Sequence, residues 1–179
     1  MKTILVLTFA VITFLSVPAS AQKEMLTKEE TVNYLNKKLQ EADGRDLLRS
    51  DSPPYRYSDI SFKISGDNVV VKYNGTLQGR SVCISTFVFN PGHISRIAVS
   101  QHEYDKTTES PVKVIHIQFP SKTGRHSSCL TGALQSDFID VDHAAFPYFA
   151  AAQDNFSRIE KALLHLRDLA KAEDDPFGN

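Results

Sequence analysis

The sequence predicts an α+β domain. It reads as an N-terminal helix, an antiparallel and strongly bent sheet or partial barrel of six to seven strands, and a long C-terminal amphipathic helix. Three observations predict this. A helix-start signature at Thr27 to Glu30 precedes apolar residues at helical spacing. The apolar period then drops from 3.6 to 2 and stays there through most of the chain. It returns to 3.6 from Phe156 onward. Helices and strands segregated in this way argue against βαβ units and a parallel sheet.

Residues 1–21 read as a cleavable signal peptide that precedes the domain. Met1-Lys2 supplies a positive start, Ile4 to Val17 an apolar run, and Ala19-Ser20-Ala21 a small-residue site before Gln22. The run is shorter than the roughly 20 residues a helix needs to cross a bilayer. A lipidated export signal requires a cysteine at the cut, and position 22 is Gln. Export to the periplasm or the exterior is the expectation, with residues 22–179 as a single α+β domain large enough for a substantial core.

Within that domain, Thr27-Lys28-Glu29-Glu30 forms a capping box, and Val32, Leu35, Leu39 and Ala42 continue a helix over 27–42. Asp43-Gly44 stops it. Residues 43–56 form a connector in which Leu47-Leu48 pins to the core and Pro53-Pro54 prevents regular structure. Ile60, Phe62 and Ile64 alternate with polar residues, Gly66-Asp67-Asn68 turns the chain, and Val69, Val71 and Tyr73 alternate again as a hairpin. Asn74-Gly75 opens a further turn region. Arg80 to Phe89 is apolar on both faces and suits a central strand. Strands follow at Ile94 to Gln101, Val112 to Phe119, His126 to about Ala133 and Asp137 to Val141, with a polar loop from His102 to Pro111. Phe146 to Ala152 reads as an irregular lead-in or a first helical turn. Phe156, Ile159, Leu163, Leu166 and Ala170 then line one face of the last helix, capped by Asp154 or Asn155.

Composition excludes several classes. The chain carries 20 Lys+Arg against 21 Asp+Glu, and loss of Lys2 with the signal leaves 19 against 21. The basic residues make no long run, so nucleic acid is not an expected partner. No second apolar stretch spans a membrane. Cys83 and Cys129 both lie in strand segments of an exported chain, which leaves open one disulfide or two buried thiols. Walker, dinucleotide and heme-attachment motifs are absent, so no cofactor is expected.

The six histidines form no zinc template. His102-Glu103-Tyr104-Asp105 reads as a solvated loop. Asp140-Val141-Asp142-His143 is the better metal or acid–base candidate, because alternation puts Asp140 and Asp142 on one strand face with His143 at its end. Solvated acidic strand ends are the commoner explanation of such a pattern. Ser127 and Ser128 beside His126 lack a nucleophile elbow. Phe146-Pro147-Tyr148-Phe149 is the densest aromatic cluster; it reads first as a core plug and second as the lining of a ligand groove. His116 reads first as a core histidine and second as part of that groove. Asn74-Gly75-Thr76 and Asn155-Phe156-Ser157 match glycosylation sequons, which are normally inert in bacteria.

The order of elements is similar to the pleckstrin-homology-like fold, an analogy of architecture that says little about function. Leu26 to Val32 and Lys161 to Leu166, with the terminal Asp175-Pro176-Phe177, resemble small uncharacterised exported proteins of Bacteroidetes. That resemblance covers the two helical ends and implies a periplasmic or secreted location. The functional expectation is an exported, non-catalytic module that binds a small ligand, a peptide or an envelope protein through Phe146, Tyr148, Phe149 and His116. The alternative is a metal-dependent or acid–base hydrolase built on Asp140, Asp142 and His143.

Overall fold

The computed structural model describes residues 26–48, 53–99, 110–130 and 137–175. The expected signal peptide, the His102 loop and Pro176-Phe177 lie outside the described residues. Helix α1 spans Lys28–Gln40, and the expected capping box is present: Glu30 N donates to Thr27 Oγ1 at 3.2 Å, and Thr27 N donates to Glu30 Oε2 at 2.8 Å. Such a cap contributes about 1 kcal/mol. Val32, Leu35 and Leu39 are buried, as their spacing requires.

Nine strands follow among the described residues. They form two antiparallel sheets, where the sequence suggested six to seven strands in one bent sheet. The strands are β1 Asp46–Leu47, β2 Tyr55–Ser65, β3 Asn68–Leu77, β4 Arg80–Phe89, β5 Arg96–Val99, β6 Val112–Gln118, β7 Gly124–Leu130, β8 Ile139–Val141 and β9 His143–Phe149. The larger sheet has the order β1-β2-β3-β4-β7-β8, and the smaller has β5-β6-β9. The division falls where Asn90 starts a 3-10 turn at Pro91–His93, its Oδ1 accepting from Gly92 N at 2.7 Å. Strand β4 lies inside the larger sheet, with Ser85, Thr86, Phe87 and Phe89 buried, as its two-faced apolar pattern requires.

Two sequence signals mean something other than their usual reading. Asn74-Gly75 does not begin a turn; β3 runs on to Leu77. A Cβ at Gly75 would collide with the Tyr55 ring, so the glycine makes room for an aromatic side chain from β2. Residues Phe146 to Phe149 are not a helical lead-in but most of β9. Pro147 is tolerated there because β9 ends the β5-β6-β9 order and has no further strand to donate to.

The two sheets close on one hydrophobic cluster. Phe62 of β2 meets Phe146 of β9 edge-to-face at 6.1 Å, and Phe89 of β4 meets Phe119 at 5.2 Å. The Tyr73 hydroxyl donates to the Ala145 carbonyl at 3.1 Å, a link between the sheets, and burial pushes its phenol above the usual range. Helix α2, Asn155–Asp174, buries Ile159, Leu163, Leu166 and Ala170 and packs on α1 and the 3-10 turn. Its start departs from the expected cap. Asp154 is left-handed (φ 64°) and makes no side-chain cap, while the buried Asn155 amide donates to the Phe149 carbonyl and to Glu41. No helix of the described residues is long and apolar enough to cross a membrane.

Candidate functional site

Burial alternates along the start of β9, and Pro147 then breaks the alternation, buried between Phe146 and Tyr148. Ala144, Phe146 and Tyr148 are buried, whereas His143 is exposed and Ala145 and Phe149 are half-buried. Of the residues expected to line a ligand groove, Phe146 and Tyr148 are therefore core, as the first reading of that cluster held. Phe149 lies under the Arg45 guanidinium, 4.2 Å from the ring centroid. His116 alone of that set reaches a cleft.

That cleft encloses about 550 Å³ and is lined by Ser95, His116, Gln118, Phe119, Asp142 and His143. Its size falls within the range of small-molecule sites. Strand register explains its walls. Arg96, Gln118 and His143 are directly opposed across β5, β6 and β9, so they share a row on one face of the small sheet. The next row on that face is Ala98, His116 and Ala145. The two alanines leave open space around His116. The His116 and His143 rings lie nearly parallel, 6.2 Å apart with 12° between planes.

Asp142 and His143 do come together, as their adjacency suggested. His143 Nδ1 donates to Asp142 Oδ1 at 2.9 Å, which leaves Nε2 as the nitrogen to meet a ligand or a proton. This hydrogen bond, then a backbone hydrogen bond at Asp142 and the charges of His143 and Lys122, holds the Asp142 carboxyl below its usual range. Asp140 does not join them: it sits in β8 opposite Arg125. Among the described residues no three His, Cys, Asp or Glu side chains converge to hold a metal ion. Ser95 also lines the cleft, but its hydroxyl donates to the Gln118 carbonyl at 2.8 Å.

His126 on β7 stands behind this site. Its ring stacks on Phe87 with centroids 4.1 Å apart, and its Nε2 is buried without a hydrogen-bond partner. Burial, and then the charge of nearby His143, push the His126 imidazole below its usual range. The sequence did not single out this coupling, because 17 positions separate the two residues and only the fold brings them near.

The remaining candidates resolve simply. Strands β4 and β7 are neighbours, but Cys83 lies opposite Leu130 and Cys129 opposite Ile84. Cys83 is a free thiol, 3.2 Å from the Ser85 hydroxyl. Both sequon asparagines are engaged: Asn74 donates to Asp59 across the hairpin, and Asn155 is buried. A second cavity of about 250 Å³ is bordered by Asp46 and Arg56. There the Arg56 guanidinium is already gripped by both Asp46 oxygens at 2.8 and 3.1 Å.

The chain matches no family model, no curated protein and no solved structure.

Proposed function

We propose that the protein is an exported binding module that takes a small polar ligand in the cleft between Gln118 and His143. The observation that carries this reading is the cleft itself, about 550 Å³ with hydrogen-bonding side chains on most of its wall. Donors and acceptors there fix orientation, and the Phe119 ring offers one apolar surface. The signal-like residues 1–21 support an address outside the cytoplasm. Mature protein labelled with ¹⁵N, screened against a library of small polar fragments, tests the reading. Amide shifts should concentrate at Ser95, His116, Gln118, Phe119 and His143. Shifts concentrated at another surface, or none with any fragment, would contradict it.

One observation favours a second reading, acid–base hydrolysis. The Asp142–His143 hydrogen bond orients an imidazole as a base would be oriented. The pair is open to solvent, and the Ser95 hydroxyl is turned to a carbonyl, so binding is the better-supported function. Turnover of simple esters that Asp142→Asn and His143→Ala both abolish would reverse that order.

A further inference from the structure

The larger sheet ends on an edge that is open and apolar. Strand β8 stands last in the order β1-β2-β3-β4-β7-β8, so among the described residues one side of it pairs with β7 and the other meets no strand. Such an edge presents N–H and C=O groups to any further strand. Its apolar side chains are exposed as well: Ile139 is 61% exposed and Phe138, directly before the strand, 39%. The other sheet ends differ. Strand β1 is two residues long, and its Asp46 is paired with Arg56. Ile97, Ala98 and Val99 of β5 are half-buried, and β9 carries Pro147. The charges along the β8 edge are carboxylates: Asp137, Asp140 and Asp142, all exposed. Asp142 is taken by His143. Arg125 stands directly opposite Asp140, yet its guanidinium lies over the Phe138 ring, 4.7 Å from the centroid. Among the described residues no ion pair engages Asp140.

We infer that β8 is a docking edge for an extended, basic segment of another protein, which adds a strand beside it with a lysine or arginine opposite Asp140 and an apolar side chain opposite Ile139. In strand addition the main-chain hydrogen bonds hold the segment, and alternate side chains choose it. Successive side chains point to opposite faces, so Asp140 meets the partner on the same face as Phe138 and Ile139 meets it on the other. A segment that alternates basic and apolar residues satisfies both faces. A second copy of this chain does not. Antiparallel self-pairing centred on Asp140 sets the two Asp140 side chains opposite each other, and centring on Ile139 sets them on the neighbouring diagonal. Like charges placed opposite are destabilising, whereas opposite charges there are favourable. The carboxylate that guards the edge against its own kind therefore selects a cation. The inference goes beyond the cleft reading and does not rest on it: of the edge residues, Asp142 alone also lines the cleft.

The probe is a capped heptapeptide that alternates valine and lysine, with a counterpart that carries glutamate in place of lysine. Each is titrated at low salt into ¹⁵N-labelled mature protein, and amide exchange is followed in the bound state. The lysine peptide should shift and protect the amides of residues 138–141, and it should bind about tenfold more tightly than the glutamate peptide. Added salt should narrow that gap. Asp140→Lys should reverse the preference, and Ile139→Ser should weaken both peptides. The reversal is the decisive arm, because a damaged fold loses binding but does not exchange one preference for the other. Equal affinity for the two peptides would overturn the inference. So would a preference that Asp140→Lys leaves unchanged, shifts that avoid residues 138–141, or no binding of the lysine peptide at about 1 mM. Self-association of the free protein that protects the β8 amides would assign the edge to a second copy instead. Failure of both peptides leaves the cleft reading standing, and failure of small fragments in the cleft leaves this edge untouched.

Discussion

The two halves of β9 are made of similar chain and do opposite things. From Phe146 on, alternate side chains close the core against β2, with Phe146 edge-to-face on Phe62. At its start, His143 faces a cleft and leans on the carboxylate before it. The aromatic half is richer in the residue types that dominate binding surfaces, yet it is structural. The polar start is sparse, and it borders the cleft. The difference comes from what lies opposite. Phe146 is paired with Ile115 and faces inward, while His143 is paired with Gln118 and faces out. Side-chain type told less than parity and register.

Substitutions that separate the two halves test this comparison. The largest effect belongs to Phe146→Ala, which leaves a cavity against Phe62 and should cost about 3–5 kcal/mol in chemical denaturation. A loss below about 1 kcal/mol would mean the aromatic half is not core. Next comes Gly75→Ala, since an added methyl meets the Tyr55 ring; a loss of about 1–3 kcal/mol is expected in the same measurement.

His126 gives a smaller, pH-dependent effect. Burial lowers its folded-state value below the unfolded one, so the unfolded chain binds more protons between the two. Its contribution is intact above the unfolded value of about 6.5 and is lost as pH falls through the lowered value. His126→Phe keeps a ring on Phe87 and removes the orphaned nitrogen. It should flatten the acid side of the melting-temperature profile and raise stability by up to about 1 kcal/mol near pH 5. An unchanged acid limb would show that His126 is not the group responsible. His143→Ala should change stability by less than about 0.5 kcal/mol, because the side chain is exposed and at a strand start. The smallest effect is none: without a Cys83–Cys129 bridge, intact mass under non-reducing conditions should not change on adding reductant. A gain of two hydrogens would show that β4 and β7 pair in another register.

Much of the fold was legible because it rests on local rules. Thr27 and Glu30 cap α1 as their spacing says, and β4 has the bounds its apolar pattern gives. The errors fall where a residue's usual meaning is replaced by a long-range contact. Gly75 signals a turn until Tyr55 is placed against it, and Pro147 signals a break until β9 is known to be an edge. Of the site, the Asp142–His143 pair was readable because the residues are adjacent. His116 was named for a different groove. Gln118 and His126 were not readable with it, because strand register and the fold, not sequence spacing, bring them near His143.

The central claim is that ligands meet this protein at the open end of β6 and β9 and not along its aromatic half. Crystals of residues 22–179 soaked with polar fragments test it most directly. The account expects bound fragments beside His116, Gln118 and His143, with Phe146 and Tyr148 still sealed in the core. Fragments seated along Phe146, Tyr148 and Phe149, with the histidine cleft empty, would contradict it.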